Sequence, residues 1–94
     1  MNKKLYEFVT ESNGADYNIT FVQAEDAHKA LIQYCKYTGE LNAAFMEAIC
    51  SVCFESALAI ANNQLYNGII DIHEVGNTIY TRPNRHIETV EGSE

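Results

Sequence analysis

Apolar positions in this chain alternate with polar ones towards both ends and recur at helical spacing in the middle. The longest apolar-rich run is Leu41–Ala61. There Leu41, Ala44, Phe45, Ala48, Ile49, Val52, Cys53, Ser56 and Ile60 share one helical face, and Ala57 and Leu58 widen it. Glu47, Ser51 and Glu55 recur every fourth position as one narrow polar stripe, so this helix is expected to be covered on most of its circumference. Asn42 is the predicted N-cap, with Leu41 and Met46 as the staple pair across it. Asn62-Asn63 or Gly68 is the predicted stop. Twenty residues at about 1.5 Å each span about 30 Å, enough to cross the sheet of a small domain.

Before it, Leu5–Glu11 and Tyr17–Val22 read as strands. Ser12–Ala15 turns between them, with Asn13-Gly14 suited to a tight hairpin. Ala24-Glu25-Asp26 opens a first helix, its carboxylates set in the first turn, with Ala27, Leu31, Tyr34 and Cys35 as the buried stripe. Glu25 and Lys29 form an i,i+4 pair, and Gly39 fits the position past the helix end. Gly68–Val75 and Thr78–Arg82 make a second hairpin around Gly76-Asn77, and Pro83 closes it. His86–Glu91 alternates weakly, as a short edge strand would, and Glu91–Glu94 reads as disordered. The order is β-β-α-α-β-β, which predicts an α+β fold: a four-stranded antiparallel sheet with a two-helix layer on one face. Residues 1–83 form one expected domain and 84–94 a polar tail.

If Tyr6, Phe8, Tyr17, Ile19, Phe21, Ile70 and Ile72 face the helices, the other sheet face carries Leu5, Val9, Val22, Ile69 and Val75. That set is too apolar for a face left in water, so it is a candidate self-association surface. Glu7, Glu11, Asp71 and His73 lie among these residues.

Charge narrows the choice of partner. The 94 residues carry a net charge of −7, with no Lys or Arg between Leu41 and Thr81. This disfavours direct binding to nucleic acid or an anionic membrane and favours a basic protein surface. Glu47 and Glu55 would be costly at the centre of a spanning helix. Three cysteines and a charged start, MNKK, suggest a reducing cytosol.

Chemical motifs are sparse. Cys50 and Cys53 form a C-x-x-C, read as lying mid-helix, where no dipole end lowers a thiol pKa. With Cys35 or His28 it could hold zinc, but no second ligand pair accompanies it, so packing is the simpler role. Asp71, His73 and Glu74 resemble an acid–base cluster, yet strand alternation sends Glu74 to the opposite face. There is no nucleophile elbow and no glycine-rich phosphate loop. Six tyrosines suit core edges or an interface.

The expected function is therefore non-enzymatic, without cofactor or metal. The leading expectation is a small acidic inhibitor or adaptor that occupies the basic, nucleic-acid-binding surface of a larger protein. Glu7, Glu11, Glu47, Glu55, Asp71 and His73 are its candidate contacts. A chain of this size and acidity, lacking catalytic parts, resembles in type the host-defence antagonists encoded by phages, the anti-CRISPR proteins among them. No residue is carried over from that likeness. The alternatives are a homo-oligomer, such as a homodimer, packed through the apolar sheet face, and a metal- or thiol-dependent enzyme.

Overall fold

The structure is a computed structural model describing residues 3–11 and 17–81. Its elements are β1 (Lys4–Glu11), β2 (Tyr17–Ala24), α1 (Ala27–Thr38), α2 (Ala43–Ser51), α3 (Phe54–Gln64), β3 (Ile69–Glu74) and β4 (Asn77–Thr81). The strands form one antiparallel sheet in the order β2-β1-β3-β4. The fold is α+β, with strands flanking the helices as the pattern predicts. The Ser12–Ala15 turn, Arg82, Pro83, the 86–91 strand and the tail lie outside the described residues.

Local chemistry sets each helix end. Asp26 caps α1, its carboxylate accepting from Lys29 N at 2.8 Å. The helix proper starts at Ala27, so neither Glu25 nor Asp26 lies in its first turn. The Lys29–Glu25 pair does form, at 2.7 Å. Gly39 ends α1 with φ 69°, a left-handed conformation that glycine adopts without strain, and its N–H donates to Cys35 O. Asn42 caps α2 as expected, accepting from Phe45 N at 2.9 Å.

The central helix is not continuous. It breaks at Val52 and Cys53, both extended, into α2 and α3. Ile49, Cys50, Ser51, Val52 and Cys53 are five consecutive weak helix formers. Ser51 Oγ also donates back to Glu47 O at 2.9 Å, a bond that bends helices. The helical layer therefore holds three helices among the described residues, and the single Glu47–Ser51–Glu55 stripe does not exist.

The core sits between sheet and helices. Phe8, Leu31, Ile49, Ile69 and Ile72 are fully enclosed. Phe8 stacks on Tyr34 with centroids 4.7 Å apart and planes 9° apart. Thr10, also buried, meets Tyr34 through a side-chain hydrogen bond. Asn62 of α3 fastens the start of β3: its Oδ1 accepts from Ile69 N at 2.9 Å, and its Nδ2 donates to Ile69 O at 3.5 Å.

Two register features reassign residues between the sheet faces. The β1–β2 ladder closes on Glu11↔Tyr17 and runs without a shift to Lys4↔Ala24. Tyr6 therefore lies opposite Val22, and Phe8 opposite Thr20. A tight two-residue turn at Asn13-Gly14 would have paired even with odd positions. One residue of slip turns every side chain of β2 over. Val22, expected on the outer face, packs against the core. Tyr17, Ile19 and Phe21, expected inside, lie outside and are 54, 55 and 59 % exposed. In β3 the register shifts opposite Val9/Thr10 and skips Ile70. This bulge places Ile69 opposite Thr10 and wholly inside the core, contrary to expectation.

Candidate partner-binding surface

The outer face of the sheet is built from the odd-numbered positions of β1 and β2. The ladder pairs Leu5 with Gln23, Glu7 with Phe21, Val9 with Ile19 and Glu11 with Tyr17. The main-chain bonds Val75 N→Leu5 O (2.9 Å) and Glu11 N→Gly68 O (3.0 Å) turn the odd residues of β1 towards β3. Towards β2 these same residues thus form non-hydrogen-bonded pairs, in which side chains stand closest. A row of two aromatics and an isoleucine on β2 runs beside a row bearing two carboxylates on β1. Glu7 is half-buried and Glu11 exposed.

The other expected contacts divide between surfaces. His73 shares the outer face, opposite Glu7, and its Nε2 stands 4.0 Å from Asp71 Oδ2. Asp71 is only 5 % exposed, so it belongs to the fabric of the sheet and is not an accessible contact. Glu47 on α2 and Glu55 in the first turn of α3 are exposed on the helical layer, away from Glu7 and Glu11. The six candidates therefore form no single patch. Of the expected self-association residues, Leu5 and Val9 do lie on the outer face. Val75 is exposed in the β3–β4 turn beside Leu5.

The thiols also differ from expectation. Because the helix breaks, Cys53 is the N-cap of α3 and does sit at a helix start. Its Sγ stands 3.4 Å from Ser56 Oγ, and hydrogen bonds from the Ser56 hydroxyl and backbone N–H to the thiolate hold its pKa below the ordinary thiol value. Cys50 is exposed on α2, and Cys35 is buried on α1, where burial and the nearby Glu40 push its pKa up to about 11. His28, the other conceivable zinc ligand, bonds through Nε2 to Ile49 O at 2.7 Å, tying α1 to α2. Among the described residues no three His, Cys, Asp or Glu side chains gather as a metal site. All three cysteines are free.

A groove of about 590 Å³ opens where β1 and β2 meet the end of α1, with Thr10, Asn18, Tyr34, Tyr37, Thr38 and Glu40 in its wall. Its polar groups are hydroxyls, amides and one carboxylate, and Glu40 Oε1 already accepts from Tyr66 N at 2.7 Å. These groups can hydrogen-bond a polar ligand. No helix among the described residues is long and apolar enough to cross a membrane.

Alternation in Tyr17–Val22 correctly signalled a strand with one apolar row; only the side to which that row turns was missed. No known protein-family model, curated protein or solved structure matches this chain.

Proposed function

We propose that this chain is a non-enzymatic protein-binding module, an inhibitor or adaptor whose outer sheet face covers a basic, nucleic-acid-binding surface of a larger protein. The observation that carries this reading is the pairing of Phe21 with Glu7 and of Tyr17 with Glu11 across adjacent strands. Strands lie about 4.8 Å apart, so one arginine can lie over a ring and meet the neighbouring carboxylate at once. A cation over an aromatic face contributes about 0.5–1 kcal/mol when exposed and about 2 when desolvated. The net charge of −7 adds long-range attraction to a basic partner and repels nucleic acid from the same face. Small size and acidity support the further proposal that this is an antagonist of the kind phages direct at host defence. The three free thiols support action in a reducing cytosol.

The test is titration with an arginine-rich peptide, followed by amide chemical shifts. Glu7, Glu11, Tyr17 and Phe21 are expected to move, with affinity falling as salt rises. Glu7→Gln with Glu11→Gln is expected to weaken binding and to flatten its salt dependence. Binding unchanged by the double substitution, or that maps to α2 and α3, refutes the proposal.

A further inference from the structure

We infer that β2 is a self-pairing edge: two copies of this chain join antiparallel along it, about a two-fold axis at Ile19, into one continuous eight-stranded sheet. The inference starts from the direction of the main-chain groups. The odd residues of β1 bond towards β3, so its even residues bond towards β2. Their partners are Asn18, Thr20, Val22 and Ala24. The N–H and C=O of Ile19 and Phe21 therefore point away from β1, along the open side of a strand that is outermost among the described residues.

Among the described residues that side has none of the usual guards. Sheet edges are normally blunted by Lys, Pro, bulges or inward charges. YNITFVQA contains no charged residue, no proline and no glycine, and its ladder with β1 has no shift. The side chains beside the edge are the exposed Ile19 and Phe21, with Tyr17 next to them.

The strand is also its own best complement. Centred on Ile19, the pairing sets Ile19 against Ile19 of the second copy and Phe21 against Tyr17 of the second copy. On the other face Asn18 meets Thr20. Every outer pair is aromatic or β-branched, the kind that stabilises adjacent strands. Continued one strand further by the observed register, the central line reads Val9, Ile19, Ile19, Val9. The lines beside it read Glu7, Phe21, Tyr17, Glu11. The carboxylates end three strand spacings apart, about 14 Å. This exceeds the Debye length of about 8 Å at physiological salt, so two acidic copies can meet here without strong repulsion.

Charge also decides between occupants. A basic strand would find no carboxylate within β2, whereas a second copy finds matched apolar rows. An aromatic side chain presents about 150–250 Å² in full, so each half-exposed residue contributes on the order of 100 Å². Three such residues from each copy fall short of the roughly 800 Å² per partner of a standard interface, so the dimer is concentration-dependent. The axis stands perpendicular to the sheet. Both helical layers stay on one side, and the outer faces merge into a single doubled surface. The inference goes beyond the proposed function, and a monomer would leave that function standing.

Sedimentation velocity over a dilution series tests it. The unmodified chain is expected to show a monomer–dimer equilibrium. Ile19→Pro removes an N–H that serves only the second copy, so this variant is expected to keep its circular dichroism and sediment as a monomer. Ile19→Lys sets two ammonium groups against each other at the axis and is expected to do the same should the proline disturb folding. In a Cys50→Ser, Cys53→Ser background, Ile19→Cys is expected to cross-link on mild oxidation. Antiparallel partners that exchange hydrogen bonds have Cα atoms about 5.5 Å apart, within disulfide range. Phe21→Cys, four positions from its own copy, is expected not to cross-link. An unmodified chain that stays monomeric at NMR concentrations overturns the inference. So does a folded Ile19→Lys dimer, or cross-linking of Phe21→Cys as ready as that of Ile19→Cys.

Discussion

Phe8→Ala and Phe21→Thr make a paired stability measurement that tests which way the first hairpin faces. Phe8 is 0 % exposed and stacked on Tyr34. Truncating so enclosed a phenylalanine costs about 3–5 kcal/mol through lost transfer energy and the cavity left behind. A chain of this length has a total stability of about 5–14 kcal/mol, so Phe8→Ala removes a large share of it. Phe21 is 59 % exposed, leaving about 40 % of it covered. Complete burial of such a side chain is worth about 1.5–3 kcal/mol, so about 0.6–1.2 kcal/mol is at stake. Threonine keeps the strand preference, which isolates the burial term. In urea unfolding followed by circular dichroism, Phe8→Ala should lower the midpoint severalfold more than Phe21→Thr. In thermal melts, each kcal/mol corresponds to about 4–8 °C for a domain of this size. The runs belong at high dilution, since self-association would add its own stabilisation. Equal costs for the two substitutions would refute the outward placement of Tyr17, Ile19 and Phe21, and the partner surface with it.

Other expectations follow from single contacts. Asn62→Ala leaves the buried amide of Ile69 without its acceptor and should cost about 1–3 kcal/mol, with faster hydrogen exchange at that amide. Gly39→Ala meets no neighbouring atom, but at φ 69° it should cost about 1 kcal/mol in the same urea titration, from the left-handed backbone alone. Cys53 holds more thiolate than an ordinary cysteine at any given pH, because its pKa is lowered. Its alkylation by iodoacetamide should therefore reach half-maximal rate below the usual thiol range, read by mass spectrometry of the labelled peptides. Cys35, buried and raised to about 11, should label only once the chain unfolds.

Much of the architecture was legible in the sequence. Alternation marked the strands, Asn42 and Gly39 marked helix ends, and Leu31, Tyr34 and Cys35 marked the buried stripe of α1. What was not legible depends on one-residue differences that composition does not encode. A β1–β2 ladder that pairs odd with odd positions, from Glu11↔Tyr17 to Lys4↔Ala24, turns β2 over relative to the register a two-residue turn would set, and one skipped residue at Ile70 reverses the start of β3. Apolar alternation reports that a strand has two unlike faces, but connection length and bulges decide which face meets the helices. The two-residue link from Ala24 to Ala27 adds a tertiary constraint. It sets α1 over the end of β2, where the small Ala24 and Val22 fit beneath it. The helix break was readable in principle from the run of weak helix formers at Ile49–Cys53, but the strong apolar periodicity of Leu41–Ala61 masked it.

The break also bears on where the acidity can act. A continuous helix would have aligned Glu47 with Glu55 as a charged stripe. Divided between α2 and α3, they are isolated surface carboxylates, each worth about 0–1 kcal/mol against a partner's cation. Glu7 and Glu11 each stand beside an aromatic ring, so an arginine there combines ion pairing with about 0.5–2 kcal/mol of ring contact. At 1.4 kcal/mol per tenfold, the two ring contacts together, about 1–4 kcal/mol, set two such sites apart from two bare carboxylates by roughly fivefold to several-hundredfold in affinity. Glu7→Gln and Glu11→Gln combined with Tyr17→Thr and Phe21→Thr should therefore weaken capture of an arginine-rich peptide at least fivefold more than Glu47→Gln with Glu55→Gln. Isothermal titration at two salt concentrations measures the difference. If the helix-side pair matters as much, net charge alone drives recognition and the aromatic row has no part in it.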